Sequence, residues 1–330
     1  MPTVRLKPLS QQVVVITGAS SGIGLATAEA AAAAGAKLVL TARSDDDLTA
    51  AAARLGGDIE TVALDIADDD SADRIVAAAT ARFGRIDTWV NNAAAAPIGR
   101  VADTPIADQR RVFDVGYWGL VRGSIAALAA MRAHGGAIIN VGSIESDRAV
   151  ILQAQYSAMK HAVKGFTDAF RTEVEADGVP VSVTLIRPAA IHTPFPEHAR
   201  NLTGHPISLP PVIYDPRLVA RAILFAAEHP RRGLSVGGTG VLGVALAQHF
   251  PRITDRALEA FGEALQTFDK PAPADRVDNL YEGRANAVDS EQDVYVRTHS
   301  LWLEAQLHPA TTIALAGAAT VAGLLALRRR

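Results

Sequence analysis

Three side chains near the middle of the chain could together move a proton and steady a developing charge. Tyr156 and Lys160 stand four residues apart in Tyr156-Ser157-Ala158-Met159-Lys160, inside a long helical pattern, which puts a phenol and an ammonium on one helix face. A fixed positive charge beside a phenol favours the phenolate and draws its pKa toward a working pH. Ser143 closes the apolar run Ile138-Ile139-Asn140-Val141-Gly142, and a hydroxyl at the carboxyl end of a strand can hydrogen-bond an oxygen as charge builds on it. Lys160 could also hold a ribose. Many surface helices carry a Tyr/Lys pair, so this one gains weight only from the elements that position it.

Those elements begin near the N-terminus. Val13–Thr17 reads as a buried strand, followed by the turn Thr17, Gly18, Ser20, Ser21, Gly22, Ile23, Gly24 and an alanine-rich helix over about 25–34. The glycines allow a sharp turn and close approach of a ligand, and the helix N-terminus offers N–H groups to a pyrophosphate. Lys37–Thr41 supplies the second strand that a dinucleotide-binding unit needs. Further strands are expected over Ile59–Leu64, Thr88–Asn91, Ala137–Gly142, Val181–Arg187 and Leu234–Val236. Helices are expected over Asp45–Leu55, Ser71–Phe83, Ile106–Ala133, Ala154–Ala176 and Pro216–Glu228. The strands are short apolar runs alternating with helices, which is the pattern of an α/β, doubly wound parallel sheet of the Rossmann type. Its ligand should sit outside the carboxyl ends of the strands.

Around that crevice, the second strand ends in Arg43-Ser44. An acid here suits the hydroxyls of an unphosphorylated ribose, a positive residue a 2′-phosphate, so Arg43 favours NADP(H) over NAD(H). Ser44 could add a hydroxyl contact. Asp65, before Ile66 at the end of the third strand, could bond the adenine amino group or cap the next helix. Asn91-Asn92-Ala93-Ala94 follows the fourth strand, where small residues let the backbone lie against a cofactor and an Asn can tie strand ends together.

Taken in order, Thr17-Gly18-x3-Gly22-x-Gly24, Asn91-Asn92-Ala93-Ala94, Ser143, Tyr156-x3-Lys160 and Pro188-Ala189-Ala190-Ile191-His192-Thr193 resemble the short-chain dehydrogenases/reductases of the classical type, over about 230 residues. The resemblance implies that Tyr156 is the general acid/base, Ser143 orients the substrate oxygen, and Lys160 binds ribose and lowers the tyrosine pKa. It further implies that Pro188, Ile191 and Thr193 lie at the nicotinamide, and that the loop from Pro194 to about Pro211 covers the substrate. Pairing of the central helices into a homo-oligomer also follows. Gly usually stands at Ala94 and Ala189. At Gly116, members carry an Asn that holds a water relaying protons to the lysine, and Gly116 offers no such side chain. An NADP(H)-dependent oxidoreductase interconverting a carbonyl and an alcohol is the implied activity. A cofactor-binding scaffold or redox sensor with little turnover is the alternative.

The 330 residues, 49% hydrophobic, suffice for one large core. A net charge of -3 gives no electrostatic footprint for nucleic acid, the absence of cysteine excludes thiolate chemistry, and no metal site is expected among the nine scattered His. The domains divide as 1–240 for binding and catalysis, 241–308 as a mostly helical extension, and 309–330 as an apolar tail. Helices are expected in the extension over Ala245–Phe250 and Thr254–Phe268, and polar irregular chain over Asp275–Ser300. The extension could lid the pocket, bind a partner or simply pack. Ala310–Leu327 lacks charge and precedes three arginines, which suggests a cytoplasmic catalytic domain attached to a membrane by this tail. A tail docked in a groove and a disordered tail are the other readings. Membrane attachment and the loop residues Pro194, Phe195, Ile207, Leu209, Pro210 and Val212 point to a small apolar substrate, lipid-, steroid- or retinoid-like, or a long-chain aldehyde or ketone.

Overall fold

The structure is a computed structural model and describes residues 4–272, 277–284, 287–314 and 317. Its first strand, β1 (Val13–Thr17), is buried throughout. Val14 and Ile16 join the hydrophobic cluster on one face of the sheet, Val13 and Val15 the cluster on the other. Side chains alternate between faces, so a strand apolar at every position must be covered by helices on both.

Six further strands complete a parallel sheet: β2 (Lys37–Ala42), β3 (Ile59–Ala63), β4 (Thr88–Asn91), β5 (Gly136–Val141), β6 (Val181–Pro188) and β7 (Gly233–Val236). Their order is β7-β6-β5-β4-β1-β2-β3. Val14 stands opposite Leu38 on one side and Thr88 on the other, so the chain reverses direction of travel between β1 and β4 and leaves a crevice there. The expected Rossmann-type sheet is present.

One face is packed by α1 (Gly22–Ala33) and by α7 (Pro216–Glu228), through Ala28, Ala31, Val219 and Ile223. The other is packed by α3 (Ser71–Phe83), α5 (Gly119–Met131) and α6 (Ala154–Ala176), through Ile75, Ala127, Phe170 and Val174. Ser44 caps α2 (Asp45–Leu55) by accepting the Asp47 N–H at 3.3 Å, and three aspartates in the first turn suit the helix dipole.

The helix expected over Ile106–Ala133 is divided. α4 (Ile106–Phe113) passes through a π-helical stretch, Asp114–Trp118, into α5. Gly116 lies in this wide turn, where a Cβ would come 2.6 Å from Met159 Cε, so a thioether fills the space an Asn side chain would need.

In the extension, α8 (Gly238–His249) begins earlier than expected and α9 (Pro251–Phe261) ends earlier. Pro251 separates them, since proline suits the first position of a helix and no interior one. Val296–Arg297 pairs with Ile213–Tyr214, and α10 (Leu301–Leu307) buries Leu303 and Leu307 in the main core. Gln306 exchanges two hydrogen bonds with the Ser235 backbone (2.8 and 2.9 Å), occupying groups on the edge strand β7. The tail expectation for Ala310–Leu327 falls mostly outside the described residues. Among those described, no helix is long and apolar enough to cross a membrane.

Candidate active site

The glycine turn is built from backbone that other residues cannot supply. Gly18 and Gly22 have φ of 66° and 53°, in the left-handed region, and a Cβ on Gly24 would lie 2.0 Å from the Gly18 carbonyl oxygen. Thr17 stitches this turn to the end of β4. Its hydroxyl accepts the N–H groups of Asn92 (2.9 Å) and Ala93 (3.1 Å), while Asn92 Nδ2 donates to the carbonyls of Thr17 (3.0 Å) and Gly18 (3.2 Å). Deeper in the sheet, Asn91 Nδ2 donates to Asn140 Oδ1 at 2.8 Å, and Asn140 Nδ2 to Thr167 at 3.0 Å, tying β4, β5 and α6 together.

These strand ends enclose a cavity of about 370 Å³ bordered by every nominated site residue except Gly24, which packs beneath it. Arg43, Ser44, Asp65 and Ile66 form one end; Ser143, Tyr156, Lys160, Pro188, Ile191 and Thr193 form the other. The floor is Gly18, whose added Cβ would meet Ala93 Cα at 2.9 Å, and Gly22, whose Cβ would meet Thr193 at 3.3 Å. A long cleft with a bare backbone floor at a helix N-terminus fits a dinucleotide.

At the second end Ser143 and Tyr156 both border the cavity, and Lys160 Nζ lies 5.4 Å from the Tyr156 ring centroid. Ser143 Oγ accepts the Glu145 N–H at 3.1 Å, which fixes its rotamer. Lys160 donates to the Val141 carbonyl at 2.8 Å. Glu145 is a site residue the sequence reading missed. It borders the cavity and accepts the Ser157 hydroxyl at 2.5 Å. The signal was faint, an acid two residues after Ser143 at the start of the polar run Glu145-Ser146-Asp147-Arg148.

Burial pushes the Glu145 carboxyl up to about 7, against the pull of Ser157 and Lys160. Burial lowers Lys160 to about 8, opposed by Glu145. Tyr156 is raised above its ordinary value, first by burial and then by the Glu145 charge, which together outweigh the Ser143 hydrogen bond. The lowered phenol expected from the four-residue spacing is thus reversed, because desolvation of the phenolate exceeds the help of its neighbours.

Phe195 packs 5.7 Å from the Tyr156 ring, and Pro194, Leu209 and Pro210 also border the cavity. Ile207 turns away to a cluster with Ile98 and Leu152, and Val212 packs on the main core.

The first end holds the larger surprise. The Arg43 guanidinium donates to the carbonyls of Asn279 (2.6 Å) and Leu280 (3.4 Å), and burial holds its pKa below the ordinary value. Asp65 accepts the Ala67 N–H at 2.9 Å and pairs with Arg111, so it caps the turn after β3. The N-cap of α3 is Asp70. The Gly22 N–H donates to the Ala287 carbonyl at 2.8 Å. Residues from the extension therefore stand along this end of the cleft. Among the described residues, no group of three or more His, Asp or Glu side chains is arranged to hold a metal.

The family model for the short chain dehydrogenases matches residues 12–202. An uncharacterized oxidoreductase of Bacillus subtilis, YxnA, is 40% identical over 98% of this chain and 91% of its own. The mouse dehydrogenase/reductase SDR family member 7B is 34% identical over 59% of this chain and 62% of its own. A solved short-chain dehydrogenase from Streptomyces avermitilis superposes with a TM-score of 0.61 at 27% identity, covering 77% of this chain and 97% of that one.

Proposed function

Since the chain belongs to the short-chain dehydrogenase/reductase family, oxidoreductases that act on CH–OH groups with NAD(P), we propose that it reduces apolar aldehydes or ketones, or oxidises the matching alcohols, with NADP(H). The observation that carries this is that Ser143, Tyr156 and Lys160 border one cavity that continues to the glycine turn. When bound, the nicotinamide supplies or accepts the hydride. Tyr156 gives its proton to the carbonyl oxygen, or takes it from the alcohol, while Ser143 donates a hydrogen bond to that oxygen. Lys160 has one donor on Val141 and two more for ribose hydroxyls. With Met159 filling the space beside Gly116, Glu145 on the cavity wall is the carboxyl whose charge acts on Tyr156.

Two features support the finer reading. Arg43 at the end of β2 suits a 2′-phosphate, and the substrate end of the cavity is walled by Val150, Phe195, Leu209, Leu258 and Leu265. Delivery from a membrane surface fits the exposed Leu242 on α8, Phe250 at the joint, and Ile253 and Phe261 on α9, beside that wall. Trp118 and Ile125, exposed on the central helices, suit a homo-oligomer contact. The deciding experiment is oxidation of NADPH and of NADH on a panel of apolar and sugar carbonyls. Turnover with NADPH on the apolar set is expected, and Arg43→Ala should weaken NADPH about tenfold more than NADH. Tight NADPH binding without turnover on any carbonyl would favour the scaffold. Flotation with liposomes tests the membrane contact.

A further inference from the structure

We propose that the strap formed by residues 277–284 and 287–292 is the outer wall of the adenosine site, with the Asn279 carboxamide holding the adenine base. This rests on the reading of the cleft as an NAD(P) site. The strap reaches the cleft at two places, the Arg43–Ser44 end of β2 and the first N–H of α1. Beside the first of these Gly283 also borders the cavity, and an added Cβ there would come 3.2 Å from the Ser44 nitrogen.

Asn279 is pinned by its own backbone. Its N–H donates to the His198 carbonyl at 2.8 Å, in the substrate loop, and its carbonyl accepts from Arg43 at 2.6 Å. Asn279 borders the cavity, and its Oδ1 is buried with no hydrogen-bond partner. A buried carboxamide oxygen left unpaired marks a missing donor. Adenine presents an amino donor next to a ring-nitrogen acceptor, the complement of a carboxamide edge. The site between Arg43 and Asp65, at the ends of β2 and β3, is where the base of a dinucleotide belongs in such a sheet.

The strap is anchored on both sides of this point. Leu280 is fully buried with Val112, Leu120 and Met159, the Tyr281 hydroxyl donates to Asp108 at 2.9 Å, and Val288 packs on Leu25 and Ala26. Because these anchors lie on opposite rims, a nucleotide under the strap leaves only when they part. Cofactor release is therefore set by the extension.

The test uses the full chain and measures binding and release of NADPH and NADH by fluorescence, with reduced nicotinamide mononucleotide as a probe lacking adenine. Asn279→Ala, which removes no existing side-chain bond to Oδ1, should raise both dinucleotide dissociation constants about tenfold and leave the mononucleotide unchanged. Leu280→Ala should speed NADPH release about tenfold, and NADPH should slow hydrogen exchange in 277–284 of the unaltered protein. If Asn279→Ala shifts neither dinucleotide, or weakens the mononucleotide equally, the adenine contact is wrong. Tighter binding in Leu280→Ala would make the strap a plug instead of a wall, which also overturns the proposal. If the unaltered protein binds neither dinucleotide, the NAD(P) reading itself fails.

Discussion

The two ends of the cleft are held in different ways. At the Tyr156 end, functional side chains stand on strand and helix ends that are locked by buried side-chain hydrogen bonds, Asn91 to Asn140 and Asn140 to Thr167. Such networks over-determine geometry, which is what proton transfer requires. At the Arg43 end the wall is irregular chain, held by backbone carbonyls and half-exposed side chains such as Tyr281, 48% exposed, and the Arg217–Asp289 pair at 3.0 Å. Apart from Leu280 and Val288 this wall has few buried contacts, and exposed hydrogen bonds let it open at lower cost than the network at the Tyr156 end. On the proposed reading the stiff end governs chemistry and the looser end governs exchange.

The largest expected effect lies at the stiff end. Tyr156→Phe keeps the ring against Phe195 and removes only the proton carrier, so kcat should fall roughly 10²–10⁴-fold with NADPH affinity intact. If affinity fell as far as kcat, the separation of chemistry from exchange would break. Next is Glu145→Gln. A carboxyl raised from 4.5 to about 7 binds its proton more tightly in the folded state, so its contribution is full below pH 4.5 and lost as pH rises through 7. Wild-type stability should therefore drop by up to about 3 kcal/mol across that window, and the Gln variant should lack the drop, as urea midpoints at pH 5 and pH 8 would read out. The same variant should lose the limb near pH 7 in its kcat profile. Smallest is Tyr281→Phe, which deletes one hydrogen bond at the loose end. Global stability should change by about 0.5–1 kcal/mol, while hydrogen exchange of 277–284 quickens. Slower turnover chemistry in that variant would contradict the comparison.

The stiff end was legible in the sequence because its residues declare themselves by type and by spacing on regular elements. Tyr156 and Lys160 share a helix face, and Thr17, Gly18 and Asn92 follow strand ends. The π-helical break at Gly116 was not legible, since one glycine in a long apolar helix signals weakness without saying what fills the gap, here Met159. The strap was invisible for a plainer reason. Arg43 and Gly22 bond to carbonyl oxygens of Asn279, Leu280 and Ala287, and every residue carries a carbonyl. The Tyr156 pKa ran opposite to expectation because spacing reports neighbours and not the water that folding removes.

The Arg43–Asn279 bond joins residues 236 apart in the chain. During synthesis the glycine turn emerges from the ribosome early and must wait for nearly the whole polypeptide before its far wall exists. Closing so long a loop comes late in folding. On the proposed role of the strap, a nascent chain would thus assemble the sheet before it could retain a nucleotide.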